Sequence, residues 1–260
     1  MLRNALGPYE IFPGTTKKSL MQYTYLLVNF FTIIIPFLFS FHPKLKFHKT
    51  WSAFFPAVFI AGLIFVVWDM YFTHIGVWGF NERYLTGIEI GNLPLEEVLF
   101  FFCIPYACVF TFHCLNLFMP HIGNPKKQKI ITLGLVSGLL IFGLLNINRS
   151  YTASTFISFS LVLLFAEFIL KINWLTRFYV VYAVLLIPFF FVNGVLTGSW
   201  IEEEVVWYNA AEFMNFRVGT IPVEDAFYGA MLILLNLLIY RYLLNRKPVP
   251  QKISRKAHAL

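Results

Sequence analysis

Two short segments place adjacent carboxylates behind a proline: Leu93-Pro94-Leu95-Glu96-Glu97-Val98 and Ile221-Pro222-Val223-Glu224-Asp225-Ala226. Each leads into a run dense in phenylalanine and tyrosine. Carboxyls held in different environments can divide the roles of general acid and general base between them. The plainer reading is a helix start, because proline suits the first turn and carboxylates there complement the positive end of the helix dipole. Three features favour chemistry: the signature recurs, aromatic residues follow it both times, and other polar groups fall at the same depth. Those groups are Asp69, with Trp68 and His74 beside it, and Asn193. Ionisable groups at membrane depth are expensive and point to function by default. Consecutive residues diverge by about 100° around a helix, so one acid of each pair is expected to face a shared cavity. Asp225, Gly229, Asn236 and Tyr240 share one stripe, which turns Asp225 inward.

The elements that position these acids are apolar helices. Hydrophobic residues make up 58% of the 260 residues and charged ones 13%, against about 45–50% and about 25% in soluble domains. With a mean hydropathy of +0.70, this composition excludes an ordinary soluble protein, a disordered tail and a disulfide-stapled module. Cys103, Cys108 and Cys114 share one apolar run and read as small hydrophobes. Seven runs approach the roughly 20 residues a membrane crossing needs: 22–41, 51–71, 95–119, 130–147, 151–169, 178–196 and 223–244. The first is longer than a signal-peptide core and has no small-residue cleavage site after it, so it counts as a span. Fourteen of the twenty Lys and Arg side chains fall on the side opposite the N-terminus. That bias predicts an external N-terminus and a cytoplasmic C-terminus in a multi-pass protein of the cell membrane. The net charge of +7 therefore reads as topology control, with no nucleic acid as partner.

The twin motifs suggest an internal repeat. The expected fold is all-α, with seven transmembrane helices arranged as two parallel three-helix repeats and a linking helix. The boundaries are 1–120 for the first repeat, 121–150 for the connector with the fourth span, 151–247 for the second repeat and 248–260 for a basic tail. A three-span unit ends on the face opposite its start, so one additional crossing makes the two repeats parallel. Gly76-Val77-Trp78 and Gly198-Ser199-Trp200 occupy comparable places beyond spans two and six. Gly134 and Gly138 in the connector have the spacing of close helix packing.

Other candidates carry less. Glu167 and Lys171 read as an i,i+4 ion pair, and His113 as a satisfied interior histidine. No H-x-x-H, H-E-x-x-H or C-x-x-C occurs, so the expected metal set is none. Without G-x-G-x-x-G there is no visible nicotinamide or flavin fold. The last span has no lysine for a retinal Schiff base, and aspartate-rich diphosphate motifs are absent.

Over nearly its full length the chain resembles the fused and heterodimeric lycopene cyclases. In that family two homologous three-span units each carry a Pro-x-Glu-Glu or Pro-x-Glu-Asp motif, here Pro94-Leu95-Glu96-Glu97 and Pro222-Val223-Glu224-Asp225; Asn215-Phe216 fits the same pattern. The resemblance implies a membrane enzyme of the intramolecular lyase or isomerase type. Its partner is lycopene or a related acyclic carotenoid, and contact with other carotenoid-pathway enzymes or a second copy is compatible with it. Glu96, Glu97, Glu224 and Asp225 become the catalytic carboxyls, with Pro94 and Pro222 as scaffold. Asp69, His74 and Asn193 are auxiliary polar groups, and Trp68, Trp78 and Tyr228 stabilise a cation. One acid protonates a ψ end group, the tertiary cation closes a six-membered ring, and proton loss yields the β ring. No cofactor is evident, and a supporting reduced flavin stays open. A cyclase of fifty-carbon carotenoids and a non-enzymatic transporter or lipid-binding protein are the alternatives.

Overall fold

The computed structural model describes residues 20–119 and 124–246. The expected basic tail at 248–260, and the basic residues before residue 20 used in the orientation argument, lie outside the described residues.

Among the described residues seven apolar helices form, because a backbone in hydrocarbon must satisfy its own hydrogen bonds. They are α1 (Thr24–Phe39), α2 (Trp51–His74), α3 (Leu95–Phe118), α4 (Pro125–Leu145), α5 (Ser150–Leu164), α6 (Leu175–Leu196) and α7 (Val223–Asn245). Among the described residues, six helical segments are long and apolar enough to cross a membrane. The seventh expected span corresponds to α1, whose 16 residues reach about 24 Å, short of the roughly 30 Å hydrocarbon core. A turn precedes Thr24, and Ser40 closes the other end by donating to the Pro36 carbonyl at 2.7 Å.

The loops add a little sheet to this mainly helical fold. Short strands β1 (Trp78–Phe80), β2 (Glu89–Ile90) and β3 (Leu93–Pro94) lie between α2 and α3, and β4 (Val206–Tyr208), β5 (Arg217–Val218) and β6 (Ile221–Pro222) lie between α6 and α7. β2–β3 and β5–β6 are hairpins that end on the motif prolines. Gly91 (φ 68°) and Gly219 (φ 65°) open their two-residue turns in the left-handed region that favours glycine. The backbone then repeats: Leu95 N–H donates to Ile88 at 2.8 Å, and Val223 N–H to Phe216 at 3.0 Å.

Packing also repeats. α3 and α7 touch each other at the centre; α1 packs along α3, and α5 along α7. α2 lies against both α3 and α7, α6 does the same, and α4 covers α5 and α6. Antiparallel pairing of β1 with β4, in register Trp78–Tyr208, joins the two long loops, so both proline-led helices start at the same end of the bundle.

Two local expectations fail. Gly134 and Gly138 face open space; the close contact of α4 is at Gly143, where an added Cβ would lie 3.2 Å from Ile157 and 3.3 Å from Phe156. Glu167 sits in a π-turn (Phe165–Ile169), and no ion pair joins it to Lys171 among the described residues. It accepts instead from Gln128 at 2.8 Å, and Gln128 also ties down the Ile172 carbonyl and the Leu175 amide.

Candidate functional site

The two acids of each motif point in different directions. Glu96 and Glu224 are fully buried and turn back onto their own loops. Glu96 accepts from the Thr86 amide at 2.7 Å and Glu224 from the Met214 amide at 2.9 Å, each ten residues upstream. Thr152 adds a 2.5 Å bond to Glu224. Both residues therefore fasten the hairpin to its helix, and neither lines the cavity that the following residues share.

Glu97 and Asp225 face that cavity, whose volume is about 1300 Å³. Each takes a tyrosine hydroxyl from the first helix of its own half: Tyr25 donates to Glu97 at 2.5 Å, and Tyr151 to Asp225 at 2.5 Å. Beyond this the two differ. Asp225 also accepts from Asn193 at 2.8 Å and from the Tyr208 hydroxyl at 2.9 Å, so both its oxygens are occupied. Glu97 has the Asp69 carboxyl as a neighbour. Asp69 reaches the cavity from α2, is 3% exposed, lies within reach of the Trp78 side chain and leaves its Oδ2 without a hydrogen-bond partner. Burial and the adjacent Asp225 carboxylate hold the Tyr208 phenol well above its ordinary pKa, so it remains a donor.

Aromatic rings enclose the carboxyls. Trp78 meets Tyr151 edge-on at 5.0 Å and Tyr228 at 6.1 Å, and Tyr151 stacks with Tyr208 at 5.9 Å. Trp68 stands behind Tyr228 at 5.8 Å and does not itself line the cavity. Space next to Asp225 comes from Gly229, whose added Cβ would lie 3.0 Å from the Tyr182 hydroxyl.

Among the sequence-derived candidates, the cavity gathers Glu97, Asp225, Asp69, Asn193, Trp78 and Tyr228. Glu96 and Glu224 belong to the loop fastening. His74 is exposed at the end of α2, away from the cavity. Pro94 and Pro222 are buried at the strand-to-helix junctions. Asn215 holds the Ala210 carbonyl at 2.8 Å on the loop exterior. The likeness of Trp78 to Trp200 stops at the sequence, since Trp78 lies in β1 whereas Trp200 has a left-handed backbone (φ 65°), is 73% exposed and stacks on Phe191. Sequence reasoning missed Tyr25, Tyr151 and Tyr208. The first two carry a readable signal, because each opens the first helix of its half at a similar distance ahead of its acid, 72 and 74 residues.

The sequence model of the lycopene cyclase family matches residues 22–115 and 148–243, which contain both hairpins, both acid pairs and every cavity group named above. No curated protein matches the chain. No solved structure does so either. With the family's two matched segments covering most of its length, the chain belongs to the lycopene cyclase family.

Proposed function

We propose that this chain is a carotenoid β-cyclase that converts ψ end groups of lycopene into β rings, giving γ-carotene or β-carotene. α1 serves as a seventh crossing, α1–α3 and α5–α7 are parallel halves linked by α4, and the acid motifs lie on the external side, with the N-terminus outside.

The observation that carries this reading is the unequal hydrogen bonding of two carboxyls on one apolar cavity. Asp225, with donors on both oxygens, is the resting anion. Glu97 has one donor where Asp225 has three, so of these two carboxyls Glu97 is the one that holds the proton. Glu97 protonates the terminal double bond of the ψ end group, leaving a tertiary cation. The nearby internal double bond attacks it and closes the six-membered ring, and Asp225 removes a neighbouring proton to leave the ring double bond. Asp225 then gives up this proton to water, and Glu97 takes up a fresh one from water. Substrate and product are isomers, so the reaction itself consumes no oxidant or reductant. Trp78 and Tyr228 stabilise the cation with their ring faces and exclude water from it.

The test is expression in a host that accumulates lycopene. Its pigment is expected to shift from red to orange-yellow, with β-ended carotenoid in the extract. Unchanged lycopene in membranes that contain the folded chain contradicts the reading.

A further inference from the structure

The cavity is covered where the two long loops meet and open on one flank. At the loop end Trp78 and Val206 are 5% and 9% exposed. Above them the β1–β4 pairing and the Arg83–Glu202 ion pair cross the gap between the two long loops. On the flank between α1 and α6 the opposite holds. Phe31, Ile35 and Phe191 line the cavity, yet they are 66%, 62% and 62% exposed. The Thr24 and Thr32 hydroxyls of α1, which also line the cavity, are spent on the Met21 and Val28 carbonyls at 2.7 and 2.8 Å. The opening therefore presents apolar surface at membrane depth, where lipid chains and not water lie outside. The cavity is also elongated, because its lining runs along α3 from Glu97 to Thr111, a rise of about 21 Å.

We propose that the seam between α1 and α6 is a lateral portal through which an acyclic polyene passes one end group from the bilayer to Glu97 and Asp225. The rest of the chain stays in the slot and the seam. This rests on the cyclase reading for the identity of the polyene, and the shape of the opening adds a consequence. One slot ends at one carboxyl pair, so a molecule cyclised at both ends must withdraw and return with its other end. The one-ring product is thus released between the two closures.

The test follows quenching of tryptophan fluorescence in the reconstituted chain as lycopene is delivered from donor vesicles, a readout that does not depend on ring closure. Val28→Phe with Val192→Phe narrows the seam and is expected to slow quenching about tenfold, an added barrier of about 1.4 kcal/mol. Phe31→Ala with Ile35→Ala widens the seam and is expected to speed quenching. Phe59→Ala and Ile141→Ala, on lipid-exposed positions of α2 and α4, are expected to leave it unchanged. Glu97→Gln is expected to quench at the normal rate without closing rings. Equal rates in all variants, or slowing by the control pair, overturn the portal. If the narrowed variant does not fold, an unchanged rate in the widened one overturns the proposal by itself. Normal quenching without ring closure in the unaltered chain would refute the cyclase reading and leave the portal standing.

Discussion

Replacing Tyr151 with phenylalanine removes one hydroxyl from Asp225 and nothing from Glu97. A hydrogen bond to a charged group contributes about 1.5–3 kcal/mol. With Glu97 protonated and Asp225 ionised, the productive arrangement therefore loses that much against the one with the proton on Asp225. Its share relative to the unproductive arrangement falls roughly ten- to hundredfold. Turnover in Tyr151→Phe is expected to drop by up to that factor. The matched variant Tyr25→Phe removes the single donor from Glu97 and biases the proton further toward it. Its turnover is expected to stay within about threefold of normal, since no charge-assisted bond to the resting anion is lost. The assay is initial ring-closure rate in isolated membranes, with cyclic and acyclic pigments separated and quantified. A severe loss in Tyr25→Phe with a mild one in Tyr151→Phe would refute the assignment of donor and acceptor.

Three further outcomes follow. Glu224→Ala leaves the Met214 amide and the Thr152 hydroxyl without their buried acceptor, at about 1–3 kcal/mol for each group; a lowered melting temperature is expected, and lost turnover with unaltered melting would contradict the fastening role. Gly229→Leu fills the space beside Asp225 and presses on Tyr182, so turnover is expected to fall about tenfold, a barrier of about 1.4 kcal/mol, with the helix retained by circular dichroism. Because the Tyr208 phenol is raised in the folded chain, its contribution to stability is full below about pH 10, where unfolded tyrosine ionises, and is lost as pH rises toward the folded value. Melting against pH should decline less steeply at alkaline pH in Tyr208→Phe, and identical alkaline slopes would show that Tyr208 is not the group.

Much of the candidate site's composition was legible because the signals are local. Pro94 and Pro222, the acid pairs behind them and the 100° step between neighbours already separate one acid from the other in each pair. Asp69 and Asn193 stand out as polar residues in apolar runs. What the chain conceals is tertiary. The two-residue strands at Glu89–Ile90 and Arg217–Val218 are too short for any alternation to register. The opposite fates of Trp78 and Trp200 depend on which loop residues enter the β1–β4 ladder, where Tyr208 pairs with Trp78. His74 shares a helix with Asp69, but the helical step turns it outward. Gly134 and Gly138 have a packing signature with no neighbour to meet, whereas Gly143, which has the neighbour, lies outside that spacing.

Cyclisation in heavy water probes the acid step at its source. If Glu97 exchanges its proton with solvent and delivers it to carbon, each newly closed ring is expected to contain one deuterium, while recovered acyclic substrate contains none. Rings closed with no deuterium would mean that the cation is not formed by proton transfer from an exchangeable carboxyl, and the roles given to Glu97 and Asp225 would fall with it.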